Sequence, residues 1–132
     1  MFVDASAMIA ILRAEALGHG LLETMQRANT RITSPIAFWE ATIGLRRNKE
    51  LTHEDARESL EAFLDYCRIT VVELGSEIAM LAVSAHARYG KRYHPAALNM
   101  GDCFAYACAK VHRVPLLYVG NDFAQTDVNA GF

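Results

Sequence analysis

The chain has 132 residues, 52% of them hydrophobic and 21% charged, with a formal net charge of −2. That length fits a single domain over 1–132 able to bury roughly two-thirds of the surface of its unfolded chain, and the composition excludes an intrinsically disordered protein. The charge excludes a globally basic nucleic-acid binder but leaves room for a local basic patch.

From the N-terminus, Phe2 and Val3 read as a short strand, Ala5 to Arg13 as a helix, and roughly Ala16 to Ala28 as a second helix. The start has an Asp at its fourth residue and no basic n-region, which argues against a signal peptide. No apolar run is long enough to cross a bilayer, so a cytoplasmic protein without membrane contact is expected. Arg31 to Thr33 is a strand candidate. Ser34 before Pro35 is a strong helix start, because Ser caps free amides and Pro suits the first helical position; the helix should reach about Asn48. Thr52 and Asp55 resemble a capping box opening a helix with Ala56, Leu60, Phe63 and Leu64 inward and Glu54, Glu58, Glu61 and Asp65 outward. Ile69 to Leu74 has the β-branched density of a strand, and Gly75-Ser76 opens a helix whose inner stripe is Ile78, Leu81, Ala82 and Ala85. Residues 90 to 98 form a loop, Asn99 caps the next helix, and Pro115 precedes a strand over Leu116 to Val119 that ends at Gly120. Cys67, Cys103 and Cys108 are odd in number and lack C-x-x-C spacing, which reads as reduced thiols without a zinc site. Short apolar strands alternating with helices imply an α/β fold with a parallel sheet covered on both faces.

In such a sheet ligands bind beyond the carboxyl ends of the strands, which makes the acids informative. Asp4 follows the first strand and Asp122 the last, so both belong to one rim. Glu40 shares a helical stripe with Ile36, Trp39 and Ile43 in the apolar segment PIAFWEATIGL, where a core residue is expected. Asp102 stands in the first turn of a helix continued by Cys103, Phe104, Ala107 and Cys108. Singly, Asp4 and Asp102 have a plain reading as helix caps or dipole partners, and Asp122 as a turn residue. Glu40 cannot cap a helix start, and burying it unpaired would cost several kcal/mol. Together, four carboxylates on one rim repel one another, an arrangement that divalent cations neutralise. Oxygen-only ligands suit Mg²⁺ or Mn²⁺, whose chemistry with such acids is phosphodiester hydrolysis.

The opening FVDASAMIAIL, the Glu40 helix, the run YGKRYHPAALNMGDCFAYACAK and the ending PLLYVGNDFAQTD resemble PIN-domain ribonucleases, specifically VapC-type toxins of toxin–antitoxin pairs, over nearly the whole chain. The resemblance implies a PIN-like three-layer α/β/α sandwich with a short central parallel sheet. It also implies Mg²⁺- or Mn²⁺-dependent endoribonuclease activity, a homodimer, and inhibition by a small cognate antitoxin. Family metal ligands map onto Asp4 and Asp102, with Glu40 and Asp122 completing the cluster. Ser6 matches a hydroxyl that orients a carboxylate or a water. Gly120-Asn121 stands where many relatives carry a further acidic or hydroxyl residue, so Asn121 and Asp127 are second-shell candidates.

RNA must be held beside an acidic rim. Arg88, Lys91, Arg92 and His94 cluster around Tyr89 and Tyr93 before Asp102, while Arg46, Arg47 and Lys49 end the Glu40 helix. Basic groups neutralise phosphates and tyrosines stack on unpaired bases; for residues 46 to 49, favourable charge at a helix C-terminus is the plain alternative. A catalytically inactive PIN-like interaction module and a metal-dependent DNA nuclease remain the competing functions.

Overall fold

A computed structural model describes residues 1–47 and 50–131. They form, in chain order, β1 (Phe2–Val3), α1 (Ala5–Leu12), α2 (Gly18–Gln26), β2 (Arg31–Thr33), α3 (Pro35–Leu45), α4 (His53–Cys67), β3 (Ile69–Val71), α5 (Ser76–Tyr89), α6 (Met100–Val111) and β4 (Leu116–Leu117), with a 3₁₀ turn at Phe123–Gln125. The four strands make one all-parallel sheet in the order β3-β2-β1-β4. Phe2, Val3, Leu116 and Leu117 are each fully buried. Successive strand residues point to opposite faces, so both faces of the centre are covered, as the α/β/α expectation requires.

The helix starts follow their local chemistry. Ser34 accepts from the Ala37 amide, with Pro35 in the first helical position; Thr52 and Asp55 close a reciprocal capping box, and Asn99 and Asp102 close another. Several boundaries are shorter than the periodicity suggests. β3 stops at Val71 and β4 at Leu117, because apolar residues continue past the last ladder partner. The α3 helix ends at Leu45, where the Arg13 guanidinium reaches across from the end of α1 to the Gly44 carbonyl at 3.0 Å and the Leu45 carbonyl at 3.3 Å. Of the expected extension to Asn48, Arg46 and Arg47 form a turn and Asn48 lies outside the described residues.

One face assignment is corrected. The stripe of Ile36, Trp39 and Ile43 is not the inner face of α3: Trp39 is 62% and Ile43 37% exposed, and the helix buries Ala37, Ala41, Thr42 and Leu45. An α3 that is apolar on all sides offers no periodic contrast to select the face. Glu40 therefore stands half-buried on the flank between the two.

The C-terminal segment adds an unforeseen feature. Leu116 donates to the Asn129 carbonyl and accepts from the Gly131 amide, both at 2.8 Å, making a parallel bridge with Ala130 that covers the outer edge of β4.

Candidate active site

The strand order reverses between β1 and β4: the chain builds outward through β2 and β3, then returns to the opposite side of β1. A crevice at the carboxyl ends of such a pair is where open parallel sheets bind ligands. Asp4 is the first residue after β1, its amide tied to the Leu117 carbonyl at 3.0 Å, and Asp122 follows β4 through Gly120, whose φ of +106° suits glycine. The rim anticipated from the sequence is thus built by two adjacent strands.

Asp4 is only 6% exposed. It caps α1, its Oδ2 accepting from the Ser6 amide at 3.0 Å and the Ser6 hydroxyl at 2.5 Å. Ser6 Oγ in turn accepts from the Val119 amide at 3.0 Å, so one hydroxyl fastens the carboxylate to the chain leaving β4. Burial raises the Asp4 pKa, the Ser6 bonds oppose this, and the Asp122 charge adds to the rise. Asp102 is the third residue of α6; its Oδ2 accepts from the Asn99 amide at 3.0 Å, while Asn99 Oδ1 accepts from the Asp102 amide at 2.9 Å. Burial pushes its carboxyl up to about 6, the Asn99 bond opposes, and Asp4 and Asp122 add repulsion. Glu40 is pushed up to about 7, first by burial and then by Asp4 and Asp102. Asp4 therefore caps α1, and its charge is felt by both Glu40 and Asp102.

These shifts carry a sign. Glu40, moved from 4.5 to about 7, and Asp102, moved from 3.8 to about 6, hold more protons folded than unfolded across those windows. Stability should then fall as pH rises through them. In chelator, the melting temperature is expected to decline between about pH 4 and about pH 7, and Glu40→Gln should flatten the upper part of that decline. A flat profile in the wild type would remove the raised carboxyls from the account.

Among the described residues, no three His, Cys, Asp or Glu side chains form a ready-made metal cage. The donor chemistry nevertheless suits a small hard cation. The acids are all-oxygen donors whose repulsion a cation relieves, and Mg²⁺ commonly keeps several waters while using one or two protein carboxylates. Asp122 is exposed and its side chain makes no cap bond at the 3₁₀ turn it precedes; Asn121 is exposed beside it and accepts from the Ala124 amide through its carbonyl.

Asp127 is placed differently from the second-shell expectation. Tyr106 donates to its Oδ1 at 2.6 Å, and Lys110 reaches its carbonyl at 2.9 Å and its Oδ2 at 3.2 Å. Arg88 lies 3.7 Å from that Oδ2. Chiefly the Tyr106 bond holds its carboxyl low, and the charges that raise Asp4, Glu40 and Asp102 come from one another and from Asp122. Asp127 fastens the C-terminal segment to α6; Tyr106 and Lys110, four apart on one helix face, were the available signal.

The basic residues divide. Arg46 is engaged locally, its Nε donating to the Leu51 carbonyl at 3.1 Å and its Nη1 lying 2.9 Å from His53 Nε2, while Arg47 is exposed. Lys49 lies outside the described residues. Arg88 stacks 4.8 Å over the Tyr89 ring, and His94 turns inward, its Nδ1 accepting from the Ala96 amide and its ring edge-on to Tyr89. Lys91, Arg92 and Tyr93 are exposed on a loop whose ends meet through Gly90 and Leu98, just before the Asn99 cap.

Comparison with known proteins bears on what this rim does. The PIN domain family matches residues 1–129. A VapC ribonuclease of Rhizobium meliloti is 38% identical, the alignment covering 96% of this chain and 98% of that one. Ribonuclease VapC42 of Mycobacterium tuberculosis is 35% identical over 97% of this chain and 96% of its own. In fold, the chain is similar to a toxin-antitoxin complex from Klebsiella pneumoniae, with a TM-score of 0.74, 18% identity, and coverage of 99% and 97%.

Proposed function

This chain belongs to the PIN-domain family, among the VapC ribonucleases, and we propose that it is a Mg²⁺- or Mn²⁺-dependent endoribonuclease, the toxin of a toxin–antitoxin pair. The observation that carries the reading is the convergence of three acids: Asp4 directly after β1, Asp102 in the first turn of α6, and Glu40 from the middle of α3 with its carboxylate against that turn, the Asp4 charge raising both of the others. The relatives are named ribonucleases, which favours RNA over DNA as the substrate.

Asp4 and Asp102 would hold the cation, with Glu40 and Asp122 completing its surroundings. A hard cation bound there supplies Lewis acidity toward a phosphodiester and favours deprotonation of water. The chain's own groups do the rest. Asp4 and Asp102 each have Oδ2 fixed by bonds from nearby donors, which sets the direction of Oδ1. Glu40, its carboxylate lying against the first turn of α6 beside Asp102, is the group placed to accept a proton at Oε as water attacks phosphorus. Lys91, Arg92 and Tyr93 present charge and an aromatic face to the RNA strand on the approach to Asp102. The antitoxin, and a second copy in a homodimer, would cover apolar surface of the kind left open between α5 and α6, where Ala79, Val83, Met100 and Phe104 line a cavity of about 340 Å³.

The purified protein is expected to cleave single-stranded RNA with Mn²⁺ or Mg²⁺ and to stop in EDTA. Equal cleavage in chelator would sink metal dependence. Cleavage of DNA alone would favour the DNA-nuclease reading, and no cleavage of either would favour an interaction module.

A further inference from the structure

Gly101 occupies the second position of α6, between Met100 and Asp102. Its backbone does not call for glycine, since Gly120 is the described glycine with positive φ. Glycine is also a poor helix former. The space around it supplies the reason. A Cβ placed on Gly101 would overlap both carboxylate oxygens and the carboxylate carbon of Glu40.

The helix carrying Glu40 is held from the other side. One turn further along α3, Gly44 lies against the Ile9 side chain of α1, and Arg13 holds the carbonyls of Gly44 and Leu45. With the α3 backbone fixed against α1, an added methyl at position 101 meets the movable end of a long side chain. The carboxylate gives way, and the helices stay. Glycine at this position therefore governs where an acid stands and has little to do with the stability of the fold.

We propose that Gly101 is the positioning residue for Glu40: the missing side chain leaves the room in which the Glu40 carboxylate lies against the first turn of α6, beside Asp102. The inference rests on the proposed nuclease site for its functional consequence, but its geometric claim does not. Gly101→Ala should keep or raise the metal-free melting temperature, because Ala favours the helix. Mn²⁺ affinity measured by calorimetry, and RNA cleavage, should each fall about 10-fold or more. In a cycle with Glu40→Asp, whose shorter side chain stands back from the new methyl, the double variant should lose no more than the worse single variant.

A metal-free crystal structure of Gly101→Ala separates this inference from the nuclease reading. Displacement of the Glu40 carboxylate supports the positioning role even if the wild type neither binds Mn²⁺ nor cuts RNA, a result that would instead defeat the proposed function. A Glu40 carboxylate in its wild-type place overturns the inference, as do unchanged Mn²⁺ affinity and cleavage in a wild type that works, or losses that multiply in the double variant.

Discussion

Asp102→Asn should reduce RNA cleavage by about 100-fold or more while leaving the metal-free fold as stable as before, or more so above about pH 6. The helix start survives the change. Asn99 caps α6 through the Asp102 backbone amide, which the substitution does not touch, and an amide oxygen still accepts from Asn99. What is lost is the negative charge, worth about 0.3–1 kcal/mol against the helix dipole. Against that stands the relief of a half-buried carboxyl that burial, Asp4 and Asp122 push up to about 6. Folded Asp102 retains its proton between 3.8 and about 6 more than the unfolded chain does. Its ionisation therefore costs stability as pH rises through that window, and the neutral side chain escapes the cost. Melting without metal near both pH limits, Mn²⁺ titration and cleavage on one preparation would decide. A folded Asp102→Asn protein that still binds Mn²⁺ and cuts at near wild-type rate would leave the carboxylate as a cap and nothing more.

The second large effect is at Asp4, where two substitutions divide two roles. Asp4→Asn keeps an oxygen for the Ser6 amide and hydroxyl and should be nearly as stable as wild type, yet lose cleavage by about 1,000-fold. Expression of the wild-type chain without its antitoxin should arrest growth, and Asp4→Asn should relieve the arrest. Asp4→Ala should do the same and also cost about 1 kcal/mol, because α1 loses its cap. The comparison to make is plating efficiency beside melting temperature. Continued arrest by a folded Asp4→Asn chain would take Asp4 out of the chemistry, whereas equal stability of both variants would take it out of the cap.

What could be read from the residues alone follows from the range of the forces involved. Ser34-Pro35, Thr52 with Asp55, and Asn99 announce helix starts because a cap is satisfied within three residues. Asp4 and Asp122 could be assigned to one rim because parallel strands put their carboxyl ends together. The inner face of α3 was not legible, since Trp39 and Ile43 are as apolar as the residues the helix buries. Nor was the fate of Asp127, which is decided by Tyr106, Lys110 and Arg88. These partners come from helices distant in sequence: Tyr106 and Lys110 mark one helix face for an acidic partner, but no local pattern names Asp127 as that partner. Gly101 was visible only as a letter beside a single acid until the opposing Glu40 carboxylate gave its size a meaning.

Each of the two central carboxylates carries a backbone amide as its own indicator. The Asn99 N–H points at Asp102 Oδ2, and the Ser6 N–H at Asp4 Oδ2. An amide proton hydrogen-bonded to a carboxylate changes its resonance when that carboxylate gains a proton or a cation. Two signals in a nitrogen–proton correlation spectrum therefore stand in for two acids that cannot themselves be seen there. During a Mg²⁺ titration, Asn99 and Ser6 moving on one common curve would describe a single ion shared by Asp102 and Asp4, while two separate midpoints would describe two ions, taken up in the order in which the amides shift.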